Sequence, residues 1–225
     1  MHQYAYLADR YLLLPHGGSV GVGYGPVVVA KQPLDARGLA GKRVGVPGLR
    51  TSAYLVLKLL VPEIVPVVVP VAPFSRAFDA LRSGEVDAVL LIHEGRLLYE
   101  HEGFHRVLEL GEAWQALTGL PLPLGGNVIA KSLGPTLIAK VSSLLRESIR
   151  HALEHRDEVL SWLIANETRP GVPRDRAMFD RYLAMYANQD TLDYGTVGRR
   201  AIQDLLDRGS AAGIIPHRVE VEFAP

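Results

Sequence analysis

Residues 41–60 read GKRVGVPGLRTSAYLVLKLL and contain the pattern that decides the fold. A Gly-Lys turn signal precedes the short β-branched run Arg43–Val46, which predicts a buried strand. A Pro-Gly pair ends that strand, and residues 51–60 are apolar almost all round, which predicts a buried helix. A strand, a turn and a helix in this order are half of an α/β crossover unit.

Similar β-branched runs recur through the first half of the chain. They predict further buried strands at Val27–Ala30, Val65–Val69 and Val86–Ile92. A second crossover helix is predicted by apolar residues at helical spacing, namely Phe74, Ala77, Phe78 and Leu81. This alternation of strands and helices predicts an α/β fold whose strands are largely parallel.

The pattern changes after the Gly-Gly pair at 125–126. A strand is predicted at 127–130, and helical patterns then continue almost to the end, with apolar stripes in 137–152, 174–186 and 197–206.

This order of elements is typical of a two-lobed binding fold in which the chain crosses between the lobes twice. We assign residues 1–31 and 131–225 to lobe I and residues 32–130 to lobe II. The cleft between the lobes is then the expected ligand site.

Composition excludes several classes of function. The 225 residues are 48% hydrophobic and 21% charged, and 24 basic residues balance 24 acidic ones, so no basic surface for nucleic acid is expected. The chain has no cysteine, which excludes disulfides, thiolate catalysis and cysteine-bound zinc. Charges and prolines interrupt the most apolar segment, residues 55–73, so no membrane span is predicted. Because the first ten residues lack a secretion signal, we expect a cytoplasmic protein.

The start of the predicted helix at residues 51–60 is a candidate binding site. Thr51 or Ser52 is a natural N-cap, and the free backbone N–H groups behind such a cap attract carboxylates or phosphates. The alternative is an ordinary helix cap, since most helices begin with one of these residue types.

His93 is a candidate general base. It follows the apolar run 88–92, at the carboxyl end of a predicted parallel strand, where open α/β sheets bind their ligands. A neutral imidazole accepts a proton near pH 7. The alternative is a histidine that only hydrogen-bonds a loop. We expect the neighbouring Glu94 and Arg96 to form a surface or hinge ion pair.

Two further motifs are weaker. Residues 101–105 match the His-Glu-x-x-His pattern of zinc proteases, but Gly103 disfavours a helix and the next residues, 106–110, predict a strand. The glycine-rich stretch 17–26 lacks the spacing of a nucleotide-binding loop and leads into a strand. We interpret the first as a charged loop and the second as a flexible loop or hinge at the cleft.

Several stretches resemble a known family. Residues 39–48 and 80–88 are similar to segments of type II periplasmic-binding-protein-like folds. Residues 25–30 (GPVVVA), 91–96 (LIHEGR) and 117–125 (LTGLPLPLG) resemble the 1,4-dihydroxy-6-naphthoate synthase family of the futalosine route to menaquinone. The similarity extends over nearly the whole chain.

The resemblance implies a cytoplasmic carbon–carbon lyase. Such an enzyme cleaves cyclic dehypoxanthine futalosine to 1,4-dihydroxy-6-naphthoate and a small sugar-derived fragment, without a metal or an organic cofactor. His93 matches the proton acceptor of the family, and Thr51 and Ser52 match its substrate-binding positions. The expected partner is this small molecule, with neither nucleic acid nor a membrane, and the sequence predicts no oligomeric state.

One departure from the family concerns the N-terminus. Relatives begin with a strand carrying a Ser-Pro-Cys-Pro-Asn-Asp-like loop, followed by a helix and a Lys-Leu-Ser segment, all ahead of the position of Met1. We therefore expect lobe I to be incomplete and the natural product to extend upstream.

Two other functions fit the same fold. Chorismate dehydratase serves the same pathway, but an Ile-Gly-Asp type segment is expected there in place of residues 92–94. A non-catalytic solute-binding protein is the other alternative, and the lack of a signal peptide counts against it.

Overall fold

The structure is a computed structural model that describes residues 1–71, 73, 75–93, 95–168 and 174–225. The strands, in chain order, are β1 (Tyr11–Leu13), β2 (Ser19–Gly21), β3 (Val27–Ala30), β4 (Arg43–Val46), β5 (Val65–Val68), β6 (Ala88–Leu91), β7 (His105–Glu109), β8 (Leu122–Gly125) and β9 (Val128–Ala130). The α-helices are α1 (Ser52–Leu60), α2 (Ser75–Ser83), α3 (Gly95–Leu98), α4 (Leu110–Thr118), α5 (Pro135–Glu154), α6 (Arg156–Ala165), α7 (Arg176–Tyr186), α8 (Gln189–Leu192) and α9 (Gly195–Ala211). Short 3₁₀ helices cover His2–Tyr6, Ala36–Leu39 and Lys131–Leu133.

The central sheet has five strands in the order β5-β4-β6-β3-β7. β4 is parallel to both β5 and β6, whereas β3 is antiparallel to its neighbours β6 and β7. Four strands therefore share one direction and β3 opposes them, which confirms the prediction of a largely parallel sheet. The strands and helices predicted from the apolar runs are also present, although Phe74 lies outside the described residues.

One predicted strand differs in its surroundings. β5 is not buried, because it lies at the edge of the sheet and leaves Val65 48% and Val68 54% exposed. Pro66 has no backbone N–H, and proline within a sheet is confined mainly to such edge strands. The composition of residues 65–68 correctly indicates a strand, but composition does not distinguish an edge from a centre.

Two small antiparallel sheets, β1 with β9 and β2 with β8, connect distant parts of the chain. Our prediction did not include β1, β2 or β8, which are three or four residues long and too short for a clear period-two pattern. β3, which we assigned to lobe I, hydrogen-bonds into the five-stranded sheet. The division of the chain into two lobes stays a prediction.

The register of the central sheet brings four chain segments to one edge. β4 and β6 are parallel, with Gly45 opposite Val89, so both carboxyl ends lie there. β3 runs the other way and pairs Val27 with both Leu91 of β6 and Glu109 of β7. The start of β3 therefore meets the ends of β4, β6 and β7, at the edge where open α/β sheets bind ligands.

A buried ion pair lies at this edge. Nη2 of Arg96 is 3.0 Å from Oε1 of Glu109, and their side chains are 17% and 3% exposed. Glu109 also accepts the N–H of Gly25 and, at 2.7 Å, the N–H of Glu112, which caps α4. Nε of Arg96 donates to the carbonyl oxygen of Gly25. The pair thus joins α3, the end of β7, the start of α4 and the residue ahead of Pro26.

Our expectation for Arg96 was a surface or hinge pair with Glu94. Glu94 lies outside the described residues, so that contact stays a prediction. Arg96 itself is bonded to Glu109 in the interior. Glu109, the last residue of β7, comes thirteen residues after Arg96 in the sequence. The pairing of β3 with both β6 and β7 brings the two residues together, so the sequence alone did not identify them as partners.

We predict that Glu109→Gln lowers the free energy of unfolding by about 3 kcal/mol, because Arg96 is then left in the interior without a countercharge. The matched control is Glu85→Gln, which breaks the exposed ion pair with Arg76 and should change stability by less than about 1 kcal/mol. Urea denaturation of both variants measures the difference. Equal losses in the two variants would contradict the structural role of the buried pair.

Candidate active site

A cavity of about 370 Å³ opens at the edge where β6 ends and α1 begins. The sheet contributes one wall, the first turn of α1 a second, the β2 and β8 pair a third, and α7 a fourth. Its lining residues are Met1, Ser19, Pro26, Arg50, Thr51, Ser52, Ala53, Ile92, His93, Leu124, Gly125, Tyr182 and Tyr186. The three residues singled out from the sequence, His93, Thr51 and Ser52, thus all lie on one cavity.

His93 lies just after β6 in a rarely used backbone conformation. Among the described residues other than glycine, only His93 has a positive φ, at 52°. The left-handed region costs a non-glycine residue on the order of 1 kcal/mol, and such strain is concentrated at functional sites. The side chain is exposed to the cavity, and its Nδ1 lies 3.2 Å from the hydroxyl oxygen of Tyr182.

The first turn of α1 presents backbone donors. Thr51 is the N-cap, and its hydroxyl accepts the N–H of Tyr54 at 3.1 Å and donates to the carbonyl of Gly48 at 2.9 Å. The hydroxyl of Ser52, a buried residue, accepts a hydrogen bond from the amino group of Met1 at 2.6 Å. Both hydroxyls are therefore engaged within the protein. The groups of this turn that suit an anion are the N–H groups of Ser52 and Ala53.

Arg50 is a site residue that the sequence analysis did not identify. It lines the cavity next to the N-cap, and its guanidinium carbon lies 4.3 Å from the centre of the Tyr6 ring. The cation–π contact holds a positive charge near the positive end of the α1 dipole. A basic residue directly before a predicted N-cap is the signal that could have pointed to it.

Two tyrosines of α7 were also not identified. Tyr182 and Tyr186 are four residues apart, lie on the same helix face and line the cavity with ring centres 4.7 Å apart. Burial raises the pKa of Tyr186 to about 12, so its phenol is neutral at physiological pH. The part of the cavity lined by α7 is therefore aromatic. Nothing in the local sequence of α7 showed that it would reach residues 92–93.

The two weaker motifs have structural roles. Residues 101–103 form a turn, with Gly103 at a φ of 77°, and His105 is the first residue of β7. Within the described ranges, no three histidine, aspartate or glutamate side chains are grouped closely enough to bind a metal ion. The glycine-rich stretch contains β2, whose Ser19 lines the cavity, and then leads into β3 as expected.

The search for membrane spans covered only the described residues. No helix in that part of the chain has the length and apolar character needed to cross a bilayer.

Sequence comparisons assign this chain to a family. The menaquinone biosynthesis family matches residues 1–211. A 1,4-dihydroxy-6-naphthoate synthase of Thermus thermophilus is 39% identical over 211 residues, and one of Streptomyces coelicolor is 36% identical over 214 residues. Each alignment covers 94% of this chain and 74% of the relative.

Solved structures agree with this result. A protein of Archaeoglobus fulgidus has 40% sequence identity and a TM-score of 0.84, covering 95% of this chain and 77% of that one. The alkanesulfonate-binding protein of Xanthomonas axonopodis pv. citri is 20% identical with a TM-score of 0.65, covering 98% of this chain and 74% of that one, a likeness of fold alone. The predicted periplasmic-binding-protein-like α/β fold class is therefore confirmed. This chain belongs to the menaquinone biosynthesis family, in which its curated relatives are 1,4-dihydroxy-6-naphthoate synthases.

Proposed function

We propose that this protein is a 1,4-dihydroxy-6-naphthoate synthase that cleaves cyclic dehypoxanthine futalosine, with His93 as the general base. The observation that carries the proposal is the position of His93. It is held in a strained conformation on a cavity of about 370 Å³ that the first turn of α1 also lines. The family supplies the role in menaquinone biosynthesis, and this geometry supplies a base and a binding surface in one cavity.

His93 suits the transfer of a proton from a bound substrate. It lies at the carboxyl end of β6, and its side chain borders the cavity rather than the core. A positioned general base accelerates a reaction by about 10² to 10⁴. In the proposed reaction the imidazole takes a substrate proton as the carbon–carbon bond breaks, and it becomes an imidazolium that can return the proton.

The opposite end of the cavity suits a polar or anionic part of the substrate. The N–H groups of Ser52 and Ala53 point out of the first turn of α1, and the Arg50 guanidinium adds a positive charge beside them. We assign Thr51 the role of holding this turn in shape, since its hydroxyl is bonded on both sides. Ser52 contributes its backbone to substrate binding.

The aromatic wall suits the ring system of the product. Tyr182 and Tyr186 line the cavity with their rings, and the phenol of Tyr186 is neutral at physiological pH. Closure of the two proposed lobes around the substrate would exclude water from the reaction. The reaction as proposed uses side chains and backbone of this chain, takes a small molecule as its partner, and takes place in the cytoplasm.

The first test is turnover of cyclic dehypoxanthine futalosine by the purified protein and by His93→Ala. Mass spectrometry should detect 1,4-dihydroxy-6-naphthoate from the wild type, while kcat of His93→Ala should be at least about 10²-fold lower. Calorimetry should show the substrate Kd of the variant within about threefold of wild type, because the removed side chain acts in the chemical step. Binding without product by a folded wild type would indicate a binding protein, and full activity of His93→Ala would exclude His93 as the base.

A second test addresses the start of α1. Thr51→Ala should weaken substrate binding more than it slows the chemical step, and it should lower the free energy of unfolding by about 1 kcal/mol, because the helix loses its cap. Steady-state kinetics and thermal unfolding measure the two effects. Thr51→Ser is the matched control, since it retains the capping hydroxyl and should restore both KM and stability. A change in kcat with KM unaffected would contradict the assignment.

A further inference from the structure

The contact between His93 and Tyr182 joins residues 89 positions apart in the sequence. Nδ1 of the imidazole and the hydroxyl oxygen of the phenol are 3.2 Å apart, at the limit of an ordinary hydrogen bond. Both side chains line the same cavity. The contact therefore links the candidate base at the end of β6 directly to α7.

Tyr182 is itself held in place by its surroundings. Its ring packs at 4.7 Å on the ring of Tyr186, which in turn meets the edge of Tyr24 at 6.5 Å. The hydroxyl of Tyr24 lies 3.2 Å from the carbonyl oxygen of Val20 and also close to that of Met185 in α7, and it donates its single proton to one of them. The three rings form a connected row that ends at the cavity. The hydroxyl of Tyr182 is thus presented from a packed support.

The helix that carries Tyr182 is anchored as well. Asp175 caps α7 by accepting the N–H of Met178 at 2.6 Å. Ion pairs join α7 to α6 at 2.9 Å, between Arg156 and Asp180, and α7 to the start of α6 at 2.7 Å, between Arg176 and Asp157. Both ion pairs are exposed, whereas Met178 and Phe179 of α7 are buried in one cluster with Leu160 of α6, and this packing gives α7 a defined position. A hydrogen bond with a residue of this helix can orient the imidazole ring of His93, whose backbone is strained.

The two ring nitrogens of a neutral imidazole have different roles. One carries the proton and donates, while the other has the lone pair and is the base, and the partner of the first nitrogen selects the tautomer. In free histidine the proton prefers Nε2, which would leave Nδ1 as the base. A phenolic oxygen that accepts from Nδ1–H favours the opposite tautomer, in which Nε2 carries the lone pair.

We propose that Tyr182 is a positioning residue for His93: its hydroxyl oxygen accepts the Nδ1–H of the imidazole and leaves Nε2 as the nitrogen that takes the substrate proton. This inference rests on the proposed role of His93 as the base. Tyr182 does not transfer the proton itself. It selects the tautomer and fixes the plane of the ring, in the way that the third residue of a catalytic triad orients its histidine.

The test is the tautomer of His93 in protein labelled with ¹⁵N at its 8 histidines, recorded without substrate at a pH where the ring is neutral. The resonance of His93 is identified by its absence in His93→Ala. We expect a protonated Nδ1 and an unprotonated Nε2 in the wild type. In Tyr182→Phe, which keeps the ring and removes only the hydroxyl, the proton should move towards Nε2.

Kinetics of the same variants give the second readout. Tyr182→Phe should lower kcat about tenfold and leave KM within about twofold, since the lost hydrogen bond acts on the base. Tyr99→Phe is the matched control: its hydroxyl bonds the exposed Glu100 at 3.1 Å, and neither tautomer nor kcat should change.

An unprotonated Nδ1 in the wild type, or a Tyr182→Phe protein with unchanged tautomer and kcat, would overturn the positioning role. If His93→Ala is inactive in that case, the proposed function still stands. If His93→Ala is fully active, the proposed function fails and the positioning role fails with it.

Discussion

The ion pair between Arg96 and Glu109 holds together the edge of the sheet on which the site depends. A charge in the interior is expensive to desolvate, and here the guanidinium and carboxylate are compensated by each other and by the backbone of Gly25 and Glu112. Arg96 lies three residues after His93, and Gly25 directly precedes Pro26, which lines the same cavity. One interaction therefore positions the end of β6 and the start of β3 together.

The cavity at this edge is lined by groups of two kinds, polar and aromatic. Backbone donors of α1 and the guanidinium of Arg50 line one part of it, and aromatic rings of α7 line another. His93 lies in a backbone conformation that only a rigid surrounding structure maintains. Arg96, three residues after His93, is bonded to Glu109 and so holds α3 at the same edge of the sheet. The strained backbone of His93 and the ion pair of Arg96 therefore lie in the same short segment of the chain.

The sequence predicted the elements of regular structure better than their environment. The strands β3 to β6 and the helices α1, α5, α7 and α9 have long or strongly patterned apolar runs, and each occurs near its predicted position. β1, β2 and β8 are short and are formed by pairing with distant partners, so no local signal identifies them. The exposure of β5 was not predicted for a related reason: Val65 and Val68 have strand composition, while the sheet order that leaves them at an edge is a long-range property.

The residues of the site differ in the same way between those that a local sequence signal identifies and those that only long-range contacts identify. His93 could be singled out because it follows an apolar run, and Thr51 and Ser52 because a cap must begin a helix; both inferences use residues adjacent in the chain. Their residue motifs also carried the family resemblance. That Tyr182 and Tyr186 line the same cavity as His93, and that Arg96 bonds Glu109, was decided only by the tertiary structure. Apolar periodicity is a local property of the chain, whereas contacts between residues that are distant in sequence arise from packing, which no local pattern encodes.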